Sequence, residues 1–372
     1  MVLAKARIIV VKIGSALLVE NGALRTAWLE TLTEDLQAWR AQKKDVVLVS
    51  SGAVALGRSQ LNLTRRALKL EEKQAAAAIG QIALAHAYRE ALGARGLPAA
   101  QILLTLDDTE DRTRHLNARG TLRTLLALGT VPIINENDTV ATEELRFGDN
   151  DRLAARVAAM IGADCLVLLS DIDGLYTADP RRDQAARHVP VIDRLGPAIF
   201  AMAGAAGTVT SSGGMVTKLE AARIALRAGC AMAIASGKEH HALHALAQGG
   251  KASWFLPSSA PLAARKKWIG GTVRPRGRIV IDPGAVRALR DGKSLLAAGI
   301  CGQSGKFSRG DAIIIEDTSG QEIARGLSAY DASETEKIAG HNSHEIAGIL
   351  GYAGRAEIIH RDDLVMNDPT DE

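Results

Sequence analysis

Six short apolar runs recur along the first two thirds of the chain: RIIVVK (7–12), DVVLVS (45–50), AAQILLT (99–105), TVPIIN (130–135), DCLVLLS (164–170) and CAMAIAS (230–236). They are nearly continuous in hydrophobicity rather than alternating, which is the pattern of strands buried on both faces and implies parallel pairing. Helical spacing fills the intervals. Trp28, Leu29, Leu32, Leu36 and Trp39 share one face, EEKQAAAAIGQIALAHAYREALGARG (71–96) is alanine-rich, and MVTKLEAARIALRAG (215–229) stops at Gly229. Strand-helix alternation of this kind predicts an α/β fold, a three-layer αβα sandwich with helices on both faces of a mainly parallel sheet.

The pattern changes after about residue 256. PSSAPLAARKKWIGGTVRPRGR carries Pro, Gly, Ser and six basic residues without an acid, which reads as a linker. Beyond it, GRIVIDPGAVRALR, KFSRGDAIIIEDTSGQEIARGLSAY and GRAEIIHRDD read as short strands separated by turns. The predicted organisation is therefore a first domain over 1–258, a linker over 259–275, a small mostly β domain over 276–360 and a frayed acidic tail over 361–372. A length of 372 residues fits about two domains.

Composition narrows the class. Hydrophobic residues make up 47% but aromatics only 3%, so the core must be built from Ala, Leu, Ile and Val. Forty-five Lys+Arg against 42 Asp+Glu leave a formal charge of +3, too little to signal nucleic acid or membrane. Cys165, Cys230 and Cys301 are odd in number and far apart, which fits neither a disulfide framework nor zinc spacing and suits a reducing cytoplasm. Lys12 interrupts the early apolar run and no small-residue cleavage site follows, so the N-terminus reads as a first strand. No apolar run approaches the roughly 20 residues of a membrane span.

In an open parallel sheet, ligands bind beyond the carboxyl ends of the strands. Those ends are chemically marked here: Lys12-Ile13-Gly14-Ser15, Ser50-Ser51-Gly52, Asn135-Glu136-Asn137-Asp138 and Ser170-Asp171. Turn-making and helix capping explain any one of them, but four ends with complementary chemistry, one bearing a lysine, point to a site. Asp149, Asn150 and Asp151 open a further helix, where they cap it or hold a cationic group. The loop GTVTSSGGMVTKLEAA, with Thr217 and Lys218 in the first helical turn, has the composition by which backbone N–H groups and a lysine meet phosphate; a plain flexible loop has it too.

These groups suit phosphoryl transfer to a carboxylate. With a pKa near 4.3 the acceptor is already ionised at neutral pH and needs no general base. It needs positive charge, because two unit negative charges about 4 Å apart repel by about 4 kcal/mol at an effective dielectric of about 20. Two look-alikes carry less weight. Gly52 to Ser59, GAVALGRS, nearly matches a phosphate-loop pattern, yet Arg58 stands where lysine is required and AVAL reads as packed helix. His240 and His244 have metal-ligand spacing but no acidic partner beside them.

The segments VVKIGSALL, VLVSSGAVALG, LLTLDDTEDRTRHLNARGTLRTLL, VPIINENDTVATEELRFGDNDRLAA, SDIDGLYTADPR, GGMVTKLEAA and FSRGDAIII resemble, in order and over nearly the whole chain, the glutamate 5-kinases of the amino acid kinase family. The pair INEND and GDND at this spacing is the most specific part, and the C-terminal segment is similar to a PUA domain. The resemblance implies an amino acid kinase-like fold and ATP-dependent phosphorylation of the γ-carboxylate of L-glutamate, the first step of proline synthesis. It implies that Lys12 and Lys218 stabilise the transferring phosphoryl group and that Asp151 orients them. Ser51, Asp138 and Asn150 would hold glutamate, Asp138 by its charge on the ammonium. Lys12, Ser170, Asp171 and the loop Ser212, Gly213, Gly214, Met215, Val216, Thr217 and Lys218 would contact ATP, with Mg²⁺ bridging the phosphates. A cytoplasmic homo-oligomer, dimeric or tetrameric and inhibited by L-proline, is the further expectation. Ser50 and Ser170 stand where these kinases usually have threonine, and Ser211-Ser212 where Gly-Thr is expected, a change that restricts φ. Two other readings are weaker. RNA binding through the second domain would rest on a basic stretch with one aromatic, Trp268, a composition more typical of a solvated linker. The nearer alternative is a kinase for a related acid, aspartate or an N-acylated amino acid, of which the acylated one conflicts with Asp138, since acylation removes the ammonium.

Overall fold

All six apolar runs become strands: β1 (Ile8–Ile13), β2 (Asp45–Val49), β3 (Ala99–Leu104), β4 (Val131–Glu136), β5 (Cys165–Ser170) and β7 (Ala231–Ser236). With β6 (Val191–Ile192) and β8 (Ala252–Phe255) they form an eight-stranded sheet in the order β6-β8-β7-β5-β1-β2-β4-β3. The computed structural model describes residues 2–63, 67–140, 150–205, 214–261, 263–264 and 275–367. They divide into two compact units, Met1–Pro261 and Leu262–Glu372. Of the expected linker, residues 262 and 265–274 lie outside the described set, as do 368–372 of the tail.

The six expected strands pair in parallel with one another. Strand β8 departs from this and runs antiparallel to β7, pairing Met232 with Phe255. Its sequence ASWF is too short and too mixed to stand out by periodicity. Strand register then aligns the polar ends. Lys12 lies opposite Val49 on one side and Leu168 on the other, and Val49 lies opposite Ile134. Ser50, Asn135 and Ser170 therefore emerge within a residue or two of Lys12 along one edge of the sheet.

Alternation decides which helices each strand residue meets. Ile9, Val11 and Ile13 of β1 enter one apolar core with helices α1 (Thr26–Ala41) and α3 (Leu70–Gly93). Val10 enters the opposite core, with helices α5 (Asn150–Ile161) and α6 (Met215–Arg227). A strand has period two, so Lys12 shares the Val10 side and points toward α5 and α6. Helix α4 (Arg112–Ala127) adds Leu122 and Leu126 to that second core.

Helix α2 (Ala53–Gln60) holds most of the GAVALGRS segment and crosses α3 with backbones nearly touching. A Cβ on Gly57 would fall 1.8 Å from the Ala76 carbonyl oxygen, and one on Gly80 would fall 1.8 Å from that of Ala53. Of the two glycines in the near-match to a phosphate loop, Gly57 serves this crossing.

The second unit is built around strands β9 (Gly277–Ile281), β10 (Ile300–Gly305), β11 (Ala312–Asp317), β12 (Glu322–Leu327) and β13 (Leu364–Met366), in the order β10-β9-β11-β12-β13. Ile279, Ile281, Ile313, Ile315 and Tyr330 form its core. Part of the stretch expected as tail belongs here: β13 pairs with β12, and Leu364 is buried, which ties down 364–366. Among the described residues no helix is long and apolar enough to cross a membrane.

Gly80→Ala should destabilise the protein by about 2 kcal/mol or more, because the new Cβ meets backbone rather than a side chain that can move. Gly93→Ala, where nothing lies within 4 Å of the added Cβ, should be neutral or stabilising. Urea denaturation of both variants checks the contrast; equal midpoints would exclude tight crossing at Gly80.

Candidate active site

Asp151 is the second residue of α5 and is fully buried. Its Oδ1 lies 2.7 Å from the Lys12 Nζ, and its Oδ2 lies 3.0 Å from the Lys218 Nζ. Lys12 comes from β1 and Lys218 from the first turn of α6, so chain segments more than 200 residues apart meet on one carboxylate. Both lysines are themselves buried, at 7% and 3% exposure. Burial by itself would raise the Asp151 pKa, but the charges and hydrogen bonds of Lys12 and Lys218 outweigh it and hold the carboxyl below the usual carboxylate range. Two ammonium groups on one carboxylate leave the cluster net positive, ready for a further anion. The Thr217 hydroxyl closes the corner, 2.7 Å from the Gly214 carbonyl and 3.3 Å from Asp151 Oδ2.

The neighbouring residue begins a second cluster. Asn150 Nδ2 donates to the Ser50 carbonyl at 2.9 Å, to Ser51 Oγ at 2.8 Å and to Asn135 Oδ1 at 3.2 Å. Asn135 Oδ1 also accepts from the Glu136 N–H at 2.9 Å, while its Nδ2 donates to Gln81 Oε1 on α3 at 2.6 Å. The Ser50 hydroxyl is 3.0 Å from that of Tyr88, whose phenol is pushed up by burial. Gly52 has φ +111, a left-handed value that glycine adopts freely, and it turns the chain from β2 into α2 just after Ser51. Asn150 Oδ1 is buried with no hydrogen-bond partner among the described residues.

Asp138 begins a short 3-10 turn, Asp138–Val140, after β4. Burial pushes its carboxyl up to about 6. A cation placed beside it would be strongly favoured.

Of the residues expected from sequence, Lys12, Asp151, Lys218 and Thr217 form one cluster, and Ser51 and Asn150 form another beside it. Ser170 stands at the end of β5, buried, with its hydroxyl 3.1 Å from Asp171 Oδ1, and Asp171 Oδ2 is 4.0 Å from Arg181. Gly214 caps α6, while Met215 and Val216 open it. Ser212 and Gly213 lie outside the described residues, as does Asp149. Sequence reading placed Asn135 at a marked strand end without a role of its own and did not single out Gln81 or Tyr88. A signal for Gln81 existed: it follows the buried Ala77 by four positions and precedes the buried Tyr88 by seven, so a polar group sits toward the packed face of an alanine-rich helix.

Comparison with known sequences adds identity to this geometry. Residues 7–236 match the amino acid kinase family, and residues 277–350 match the PUA domain. Similar over nearly their full lengths are the glutamate 5-kinase of Paramagnetospirillum magneticum, 59% identical over 98% of this chain and 99% of the relative, and that of Sinorhizobium fredii, 59% identical over 99% and 94%. The glutamate 5-kinase of Paracoccus denitrificans is 57% identical over 98% of each chain.

Asp151→Asn removes the carboxylate charge that Lys12 and Lys218 share. The expected loss of stability is about 3–5 kcal/mol, the usual cost of breaking a buried ion pair from one side. The shift in urea midpoint measures it, and a shift within error would show that the two ammonium groups do not depend on the carboxylate.

Proposed function

The chain belongs to the amino acid kinase family, within the glutamate 5-kinase group, and from that premise we propose that it transfers the γ-phosphoryl group of ATP to the γ-carboxylate of L-glutamate, giving L-glutamyl 5-phosphate, the first step of proline biosynthesis. The observation that carries this reading is the buried Lys12–Asp151–Lys218 cluster at the carboxyl edge of the sheet.

The acceptor carboxylate and the nucleotide phosphates are both anionic, and their approach is opposed by about 4 kcal/mol for one pair of unit charges about 4 Å apart at a dielectric of about 20. Lys12 and Lys218 supply the opposing charge where it develops in transfer, already oriented by Asp151 and already shielded from water, so no reorganisation is needed during reaction. Ser170, Asp171 and the α6 loop from Ser212 to Lys218 hold the nucleotide in this proposal. Ser51, Asn150 and Asp138 hold glutamate, with Asp138 facing its ammonium.

Asp151 has both oxygens engaged by ammonium groups and offers no metal ligand, a donor set that fits a Mg²⁺ carried by the nucleotide's own phosphate oxygens. When bound, that ion would add neutralising charge on the phosphates. On the same reading residues 1–258 are the catalytic domain and 276–360 an appended PUA-like domain, and the enzyme is a cytoplasmic homo-oligomer subject to inhibition by L-proline.

Trapping of acyl phosphate with hydroxylamine, with L-glutamate, L-aspartate and N-acetylglutamate offered in parallel, tests reaction type and substrate together. Hydroxamate formed chiefly from glutamate is expected; none from any acid would refute carboxylate phosphorylation. In the same assay Lys218→Ala should lower turnover by about a thousandfold while glutamate binding stays nearly intact. Near-normal turnover would remove its electrostatic role.

The Asp138 carboxyl becomes neutral as pH falls through about 6 and then no longer attracts an ammonium. kcat/KM for glutamate should therefore drop between pH 7 and pH 5, approaching about tenfold per pH unit at the acid end, while the glutamate γ-carboxyl, near 4.3, stays ionised. Asp138→Asn should show a low kcat/KM throughout and lose this dependence; an unchanged acid limb in the variant would assign the titration to another group.

A further inference from the structure

Resting on the reading that the pocket takes glutamate, we infer that Gln81 is a positioning residue that lets the site distinguish the amino acid from the same diacid without its amino group. The amide chain has a defined polarity. The Ser50 carbonyl only accepts, so the Asn150 atom 2.9 Å from it is Nδ2, and Oδ1 is left on the other side of the amide. The Glu136 N–H only donates, so the Asn135 atom 2.9 Å from it is Oδ1, and its Nδ2 is left to Gln81 Oε1 at 2.6 Å. Asn135 is 2% exposed, so water does not offer that Nδ2 a substitute acceptor.

Without the Gln81 acceptor, Asn135 must turn its Nδ2 elsewhere. Its Oδ1 then leaves Asn150 Nδ2, which it meets at 3.2 Å, and the Asn150 amide loses one of its three anchors. What that amide presents is Oδ1, buried and unpartnered among the described residues. An unpartnered buried acceptor calls for a donor. At neutral pH glutamate carries donor hydrogens only on its ammonium, since both carboxylates are ionised acceptors. Asn150 Oδ1 thus meets the ammonium by hydrogen bond while Asp138 meets it by charge. Gln81 touches neither substrate nor the lysine cluster in this arrangement, and its effect is confined to recognition of the amino group.

Calorimetric titration of the full chain with L-glutamate and with glutarate, which lacks only the amino group, tests this. Wild-type protein should prefer glutamate. Gln81→Met should lose about tenfold in glutamate affinity and little in glutarate affinity, so that discrimination collapses. Gln81→Ala, suited to an alanine-rich helix, should do the same if the methionine packs poorly. Gln81→Glu keeps an oxygen for Asn135 Nδ2 and should stay within about threefold of wild type. MgATP affinity should be the same in all four proteins. Weakening of both acids in parallel, or retained discrimination in Gln81→Met and Gln81→Ala, would overturn the inference alone. A wild-type protein that binds neither acid would overturn the functional reading and this inference with it.

Discussion

A carboxylate with no access to water stands between two ammonium groups drawn from distant parts of the first unit's sequence, and the arrangement of the site follows from that. Asp151 can be buried and ionised only because Lys12 and Lys218 reach both of its oxygens. Asp151 in turn offsets the cost of burying the lysines. Each partner makes the others tolerable, and the cluster retains positive charge because the count is two against one. Such a cluster contributes little to stability compared with an apolar replacement of the same volume. What it does is hold two cations in fixed positions.

The cluster also fixes what lies beside it. Asp151 is anchored in the first turn of α5, so the preceding residue, Asn150, is held at the mouth of the same helix and turned toward Ser50, Ser51 and Asn135. One helix start therefore has two halves, the carboxylate shared by the two lysines and the amide that joins Ser50, Ser51 and Asn135. Helix α3 supports the second half through Gln81 and Tyr88, and its close crossing with α2 at Gly57 and Gly80 sets how near those side chains come. Packing at a glycine contact and the hydrogen bond to the Asn135 amide are linked through a single helix.

Much of this was legible in the residues. Six apolar runs of strand length, bounded by polar ends and separated by helical spacing, specify a parallel sheet covered on both faces, since only that architecture buries continuous hydrophobic strands. Strand β8 was not legible, because four residues of mixed polarity carry no periodic signal. Strand β13 was hidden for a different reason: its Leu-Val-Met triplet is surrounded by acids, and only pairing with β12 reveals it.

The chain by itself also determined that Lys12, Asn150, Asp151 and Lys218 sit at element ends, Lys12 because a lysine is out of place in an apolar strand and the others because each stands in the first turn of a helical pattern. Which of them touch was decided by tertiary structure alone. Lys12 meets Asp151 because period-two alternation sends it to the α5 side of β1, and Lys218 joins them because α6 packs beside α5. Gln81 reaches Asn135 because α3 lies over that end of β4. Local sequence encodes propensity and position along an element; contact between elements depends on register and on packing across layers, and those are properties of the assembled fold.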